Sequence, residues 1–575
     1  MFWKNNAALI LGALCYYLAE PSPLNVYLWW LAFLVPVFWG RAVVSCQFSE
    51  SGNSTGNYQL STYLTAFVFW LASIWWISCP HPATIAGLIA LSAFLSLYWV
   101  IFFYAARVAY HKFKIPLWIA MPVCWMGTEF LRCHILGGFS FCALEHCLYR
   151  HPFFIQPAFF GGQYLVGGMI MFYGAAVSMA FSPAAWQRVV LRWIVIFLFL
   201  PFITFAGFIH SFRVGIDDHF YSVALLQGNV PLSLNTAADA SEKTFEQLVN
   251  LTYDAVKKRK EDGNAPYDLL VFPETTCPIP YLVFSKSGKC QPSDIGLTDE
   301  QAADCLKQLQ TFVNGIDTPA VFGISAYEFT DSKEPQRYNT ALYLIPKERG
   351  ANEVPPPDVR RSAALESFRY DKMQLVMFGE YIPFSEYLPD NFFLKTLCQE
   401  AGRGKTMTAF PLVSGFFPEH GTSPAANIIP NICFESSVPH FIRRTNNGTS
   451  SILLNLSNDA WFRFSRQIDQ HLATHVFRAV ENGMPCITAT NGGFSAIISD
   501  VGKIEYIGKR GAAQVVEGIV LTPKDGQSPT VYQRIGDIPS GTCAVFTLLF
   551  VLAGFIRRPK EGKMHPQVSR CFTCG

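Results

Sequence analysis

Hydrophobic positions are laid along this chain in two regimes. Over roughly the first 210 residues they run in long blocks with few charges, whereas residues 217–537 mix short apolar runs with polar, turn-rich sequence. A bilayer core requires roughly 20 consecutive apolar residues per helix. Blocks of that kind fall at about 6–20, 24–40, 60–78, 84–106, 115–134, 157–181 and 190–210, and an eighth lies at about 541–556. The pattern predicts a polytopic α-helical membrane protein with about eight transmembrane helices, seven of them within 1–212. The first block is short and has the length of a signal-peptide h-region, but no clear small-x-small cleavage site follows it. Its removal would leave the topology unchanged, because six spans from an outside start return the chain to the same face as seven from inside.

Between 217 and 537 the period changes. Strand-like runs at 221–230, 268–274, 319–328, 339–345, 427–435, 450–459 and 486–499 alternate with helical stretches at 241–260, 299–315 and 466–483. Strands with continuous apolar runs alternating with helices imply a layered α/β domain. Residues 541–556 then return to the membrane, and 557–575 form a short tail.

Composition agrees with a chain partly in lipid: 51% of residues are hydrophobic, 15% are charged and fifty are phenylalanine. The sign of the connecting charges sets orientation. Lys4, Arg41, Lys112 with Lys114, Arg188 with Arg192, and the tail cluster Arg557, Arg558, Lys560 and Lys563 all fall on one side, which the positive-inside rule makes cytoplasmic. The α/β domain therefore faces outward, which in a bacterial inner membrane is the periplasm. A net charge of +2 without a basic–aromatic patch gives no footing for nucleic acid. Within the fifth block, Glu129 and Arg132 stand one helical turn apart and can neutralise each other at membrane depth.

Of the sixteen cysteines, those in the outward domain show no paired metal-ligand spacing, so no zinc or other metal site is expected. Cys277 and Cys290 are close enough in sequence to pair in an oxidising compartment. Cys571 and Cys574 form a CxxC on the tail without a second ligand pair.

Sites in layered α/β domains gather at strand ends, and three polar residues stand there. Glu274 closes DLLVFPE, where Pro273 bars a regular continuation. Lys372 lies in RYDKMQLVMFGEYIPF, which carries a second acid, Glu380. Cys433 ends ANIIPNIC directly before Phe434, Glu435 and a helix start, a setting that lowers a thiol pKa. A lone cysteine is more often a small buried hydrophobe, and a strand-end glutamate or lysine more often solvated. Together the three make a complete set for nucleophilic catalysis: a thiol, a carboxylate base, and an ammonium for the thiolate and oxyanion, with the Phe434 N–H as a second donor.

FPE at 272–274, YDK and VMFGEYIPF within 370–384, and ICFE at 432–435 resemble the Glu, Lys and Cys motifs of the nitrilase (carbon-nitrogen hydrolase) superfamily in their usual order. With LLQGNVP, YNTAL, NLSNDAWF, RAVENGMP, TNGGFSAIISDVGK and YQRIGD, the likeness extends to the membrane-embedded branch whose members N-acylate lipoproteins. The resemblance implies an αββα sandwich with Glu274 as general base, Lys372 as oxyanion stabiliser and Cys433 as nucleophile. Glu380 and Glu435 match further acids of the family, and Phe434 and Trp461 match auxiliary positions at the substrate. It also implies a ping-pong reaction in which Cys433 takes an acyl chain from a membrane phospholipid and passes it to the α-amino group of a diacylglyceryl-cysteine. The other reading is a membrane-tethered amidase or nitrilase acting on a small molecule. Water must be kept from a thioester, so lids are expected near 275–296 and 385–415. The chain departs from the family pattern at Phe272, Phe434, Asn235 and Thr236, at Arg463, where glycine is common, and at Thr488, where arginine is frequent.

Overall fold

The structure, a computed structural model, describes residues 2–45, 53–180, 218–232, 237–284, 291–329, 334–346, 367–387, 389, 398, 400–412, 426–445, 451–523 and 528–556. Six helices of the N-terminal half are α1 (Phe2–Ala19), α2 (Val35–Ser45), α3 (Asn53–Ser73), α4 (Thr84–Arg107), α5 (Leu117–His134) and α6 (Ala158–Ala180). The 24–40 block is not one helix. It breaks into a turn at Asn25–Leu28, a 3-10 segment at Trp29–Phe33 and then α2, and the buried Asn25 amide is spent bonding the Ala19 and Cys147 carbonyls. The predicted block at 190–210 lies outside the described residues, as do Arg188, Arg192, the tail, Asn235, Thr236 and Cys290.

Among the described residues, four stretches are long and apolar enough to cross a membrane: Asn25–Ser45, Thr84–Lys112, Ala158–Met179 and Ile538–Phe555. The helix at Asn6–Ala19 is apolar but shorter. Helices α3 and α5 have the length but are diluted by Ser, Thr, Asn and Gln in α3 and by the Glu129–Arg132 pair in α5. That pair is fully buried; its guanidinium also bonds the Phe139 and Phe141 carbonyls, so no charge faces lipid.

Among the described residues the remaining chain forms the longer helices α7 (Ala237–Glu261), α8 (Asp299–Ile316), α9 (Gln467–Asn482) and α10 (Ile538–Phe555) and thirteen strands. The strands are β1 (Asp218–Gln227), β2 (Leu269–Val271), β3 (Cys277–Phe284), β4 (Ala320–Phe329), β5 (Gln336–Leu344), β6 (Ser367–Asp371), β7 (Phe410–Leu412), β8 (Ala426–Ile432), β9 (Ser451–Asn458), β10 (Cys486–Asn491), β11 (Ala496–Ile498), β12 (Ile504–Ile507) and β13 (Gln514–Pro523). One sheet has the order β13-β1-β2-β4-β5-β6 with β3 joined to β4; the other runs β12-β11-β10-β9-β8-β7. The three helices expected at 241–260, 299–315 and 466–483 are α7, α8 and α9. The segment 277–284, expected as part of a lid, is instead strand β3.

Side chains alternate across β1: Tyr221, Val223 and Leu225 enter the space between the sheets, while Ala224 and Leu226 face α7 and α8. The inter-sheet core is completed by Ile428, Ile432, Leu454, Leu456 and Ile487. Pro430 sits in a buried strand at no cost to the ladder on one side, because β7 pairs only with residues 426–428 of β8.

The outer face of the second sheet is covered by α9, all of whose residues are buried. Its apolar side, Ile468, Leu472, Val476 and Phe477, shares one continuous core with Leu453, Cys486 and Ile498 of the sheet and with Leu144, Leu148 and Ile155 from the loop after α5. Its polar side is paired rather than solvated. Trp76 donates to Gln470 at 2.9 Å, Gln470 donates to the Ser73 carbonyl, Arg466 at the helix start reaches Glu20 at 2.7 Å, and Arg478 bonds both Glu481 and Gln163. These contacts satisfy much of the buried polar side, whereas His475 and the Nε and Nη1 atoms of Arg478 have no hydrogen-bond partner among the described residues. The layers thus run α7/α8, sheet, sheet, α9, and then the apolar helices.

Candidate active site

Three strand ends meet at one edge of the sandwich. Glu274 follows β2 through Phe272 and Pro273, and the tip fits because Gly323 of β4 lies against it: a Cβ there would stand 2.1 Å from the Pro273 carbonyl oxygen. Lys372 follows β6, its N–H bonded to the Asn339 carbonyl at 2.8 Å. Gly404 passes close over this point, its N–H on the Lys372 carbonyl and no room for a side chain against Asp371. Cys433 follows β8 in the left-handed region, φ +51°, and opens a single 3-10 turn, Cys433–Ser437. A non-glycine residue there is strained, and such strain gathers at working sites.

The Lys372 ammonium is 1% exposed and lies between two carboxylates, 3.3 Å from Glu274 Oε1 and 2.9 Å from Glu380 Oε1. Asn339 Nδ2 donates to the same two oxygens at 2.7 and 3.2 Å, and the Asn458 N–H donates to Glu274 Oε2 at 3.0 Å. Burial disfavours the Lys372 ammonium, but Glu274 and Glu380 more than offset it and hold its pKa well above the ordinary value. For Glu380, burial is likewise outweighed, by Lys372 and the Val376 N–H, and its carboxyl is held below the ordinary value. Two of the three ammonium protons are taken by these carboxylates.

Cys433 does not have the lowered pKa expected of a strand-to-helix junction. Burial, and then the negative charge of Glu274, push the thiol well above its ordinary value, with Lys372 pulling the other way. The helix start is one 3-10 turn, too short for a useful dipole, and the thiol is only half-exposed. The resting group is therefore a thiol that needs a base.

Glu435 organises the site from beneath. It accepts from the Met373 and Gln374 N–H groups at 2.6 and 2.9 Å, from Ile432 N–H at 2.7 Å and from the Tyr370 hydroxyl at 2.8 Å. One carboxylate thus ties the lysine segment to the cysteine turn. Burial pushes its pKa up to about 7 in spite of these donors. Phe434 points the other way, its ring 6.4 Å from that of Phe141 on the membrane side. Trp461 is half-buried in the 3-10 turn Asp459–Phe462, whose Phe462 packs on Trp76 at 4.8 Å. The segments that follow Lys372 and Gly404 in the chain carry exposed apolar groups, Phe378, Phe384, Tyr387 and Met407.

The structure thus brings Glu274, Lys372 and Glu380 into direct contact, ties Glu435 to the chain on either side of Lys372 and Cys433, and puts the Cys433 thiol in the field of Glu274 and Lys372. It leaves Trp461 beside rather than in this cluster. Sequence reasoning passed over Asn339, Asn458, Asp459 and His471. Asn458 closes β9 and was open to the same strand-end rule as Glu274; His471, inside a helix, offered no such signal. Cys277 carries a free thiol directed at the Ile279 carbonyl.

Among the described residues one group has the composition of a metal site, His134, His440 and Asp537, with ligand atoms within 4.8 Å of one another. The two imidazoles stack at 4.3 Å with 23° between planes. Ring lone pairs lie in those planes and do not converge on one ion while the rings stay stacked.

The model of the carbon-nitrogen hydrolase family matches residues 222–516, and that of the apolipoprotein N-acyltransferase N-terminal domain matches residues 12–176. Relatives run the length of the chain. The apolipoprotein N-acyltransferase of Geobacter metallireducens is 26% identical over 96% of this chain and 95% of its own, and apolipoprotein N-acyltransferase 1 of Treponema denticola is 25% identical over 97% and 98%. Among solved structures, a crystal structure of a carbon-nitrogen hydrolase from Helicobacter pylori G27 overlaps 52% of this chain and 89% of its own, at 13% identity and a TM-score of 0.32.

Proposed function

The chain belongs to the carbon-nitrogen hydrolase family, and from that premise we propose that it is a membrane-embedded acyltransferase that moves a fatty acyl chain from a phospholipid to the N-terminus of a lipoprotein. The observation that carries this reading is the buried Glu274–Lys372–Glu380 cluster beside Cys433, on a sandwich whose outer helix α9 shares its core with apolar helices. A hydrolase of small soluble amides gains nothing from such helices. An enzyme whose donor and acceptor are both lipid-anchored needs them.

In the first step Glu274 takes the Cys433 proton as Sγ attacks the ester carbonyl. The oxyanion is met by the remaining Lys372 proton and the Phe434 N–H. Collapse expels the glycerol oxygen, which takes the proton from Glu274 and leaves as lysophospholipid. In the second step the α-amino group of a diacylglyceryl-cysteine attacks the thioester and yields its proton to Glu274. The thiolate departs and is reprotonated, so ester plus amine become alcohol plus amide with no cofactor. Glu380 and Asn339 keep Lys372 oriented, Glu435 keeps the two motifs in register, and Phe434 and Trp461 line the approach of the acyl chain.

In this reading residues 1–212 and 541–556 form the membrane part, 217–537 the catalytic domain and 557–575 a cytoplasmic tail. The enzyme sits in a bacterial inner membrane with its catalytic domain in the periplasm. The test is direct. Incubation with phospholipid is expected to add a fatty acyl mass to Cys433, and subsequent addition of a diacylated lipopeptide to discharge it as an N-acyl product. Acyl transfer surviving Cys433→Ala would sink the mechanism, and release of free fatty acid or ammonia with no acylated peptide would favour the hydrolase.

A further inference from the structure

Directly behind the nucleophile lies a histidine that the reaction above does not use. His471, in the first turn and a half of α9, is buried, and both of its ring nitrogens face acceptors. Nδ1 is 3.0 Å from Asp459 Oδ1, and Nε2 is 3.2 Å from the carbonyl oxygen of Cys433 itself. A carboxylate and a peptide carbonyl can only accept, so each contact is attractive only if the nitrogen carries a proton. An imidazolium satisfies both contacts at once, with the Ser436 hydroxyl as a further neighbour of Nε2.

The surroundings agree. Asp459 Oδ1 also accepts from Ser457 Oγ at 2.8 Å and Gln467 Nε2 at 3.1 Å, which holds the carboxylate against the ring. The Cys433 carbonyl is shared with Asn455 Nδ2 at 3.2 Å and Ser436 Oγ at 3.1 Å, and Ser436 in turn lies 3.1 Å from Nε2. The remaining neighbours are the Phe141 ring at 5.9 Å, the His475 ring at 4.6 Å and, farther off, the charge of Glu274. Burial opposes charge on His471, but Asp459 outweighs it and raises its pKa. His475, with no hydrogen-bond partner at either nitrogen among the described residues, is driven well below the ordinary value by burial and by His471. Of these two neighbouring rings, tilted 41° to each other, the one on the cysteine is the one whose surroundings favour the charged form.

We propose that His471, clamped by Asp459, is a positioning residue for acyl transfer: as an imidazolium it pins the left-handed Cys433 peptide and sets a fixed positive charge behind the sulfur. Lys372 approaches the thiol from the first sheet, and His471 approaches the nucleophile turn from the helix beneath the second. The thiol is raised by burial and by the carboxylates Glu274, Asp459 and Glu380 and lowered by Lys372; an imidazolium at His471 offsets Asp459 and adds to Lys372 when the base acts. The inference rests on Cys433 being the nucleophile.

The experiment follows alkylation of Cys433 by iodoacetamide, read by peptide mass spectrometry, in the full-length detergent-solubilised enzyme from about pH 6 to about pH 10. In His471→Gln, which keeps a donor but no charge, the midpoint is expected to rise by about one unit and the rate near neutral pH to fall about tenfold. His471→Asn, shorter and equally neutral, should give the same shift, which separates lost charge from lost packing. A fold-only role would lower the folded fraction and leave the midpoint where it is, and an unmoved or lowered midpoint in both variants overturns the proposal. A Cys433 that resists alkylation in the native enzyme while Cys433→Ala still transfers acyl chains overturns the nucleophile assignment instead, and this role of His471 with it.

Discussion

Arg463 adopts φ +55° and ψ −151°, a region that side chains other than glycine rarely enter and that costs of order 1–3 kcal/mol. It is exposed, it ends the turn after Asn458 and Asp459, and it stands where the family pattern commonly has glycine. Arg463→Gly is therefore expected to stabilise the protein by about 1 kcal/mol, the relief of strain exceeding the added chain entropy; thermal unfolding in detergent checks this, and a lower Tm would contradict it. Glu435 makes a second prediction. Its pKa rises from an ordinary 4.5 to about 7 on folding, so between those values the native state binds more protons than the unfolded one. Its contribution is complete below about pH 4.5 and is lost as pH rises through about 7, at most about 3 kcal/mol. Glu481, also pushed up to about 7 by burial, has the same sign. The fall in Tm from about pH 5 to about pH 7.5 should be shallower in Glu435→Gln and in Glu481→Gln than in the parent, and an equal slope in both variants would refute the assignment.

At the level of elements, the site is made by where strands stop. β2, β6, β8 and β9 end together: Lys372 and Cys433 are the first residues past their strands, Asn458 is the last of its own, and Glu274 stands three residues past β2. Gly323 tests how tightly that edge is built, because β4 lies between β2 and β5 and has nowhere to retreat. Gly323→Ala pushes a methyl onto the Pro273 carbonyl and displaces Glu274. The expected result is a loss of about 1–3 kcal/mol in stability and about a hundredfold in single-turnover acylation; near-native acylation would show that the Glu274 tip has slack. The same elements show why some strands escaped the sequence reading. β13 is half-exposed, interrupted by Gly518, and owes its ten residues to antiparallel pairing with β1, while β3 is punctuated by Pro278 and Pro280 and β6, β7 and β12 are short and carry no long apolar run.

Over the whole molecule, α9 is both the outer layer of the sandwich and the floor on which the apolar helices rest, so site and membrane region share one core. Helices α5 and α10 run antiparallel, His134 meeting Asp537 at one end and Lys112 capping the Ala553 and Ile556 carbonyls at the other, about 27 Å away. Lys112 and its neighbour Lys114 are the charges that the positive-inside rule assigns to the cytoplasm. In cells with a permeabilised outer membrane, an impermeant amine reagent is expected to label Lys257 and Lys307, about three-quarters exposed on the sandwich. Exposed Lys114 should react only after the inner membrane is opened, and the reverse pattern would invert the topology. The apolar blocks, the switch of period near residue 217, and the strand-end positions of Glu274, Lys372 and Cys433 were legible in the sequence alone, because hydrophobic periodicity and backbone breaks are local properties. The neutral resting thiol, the grip of Glu435 on two motifs, and the Asp459–His471 clamp behind Cys433 were decided only by the tertiary structure. Each depends on burial and on partners tens of residues distant, and a lowered or raised pKa is a property of that enclosure rather than of the residue.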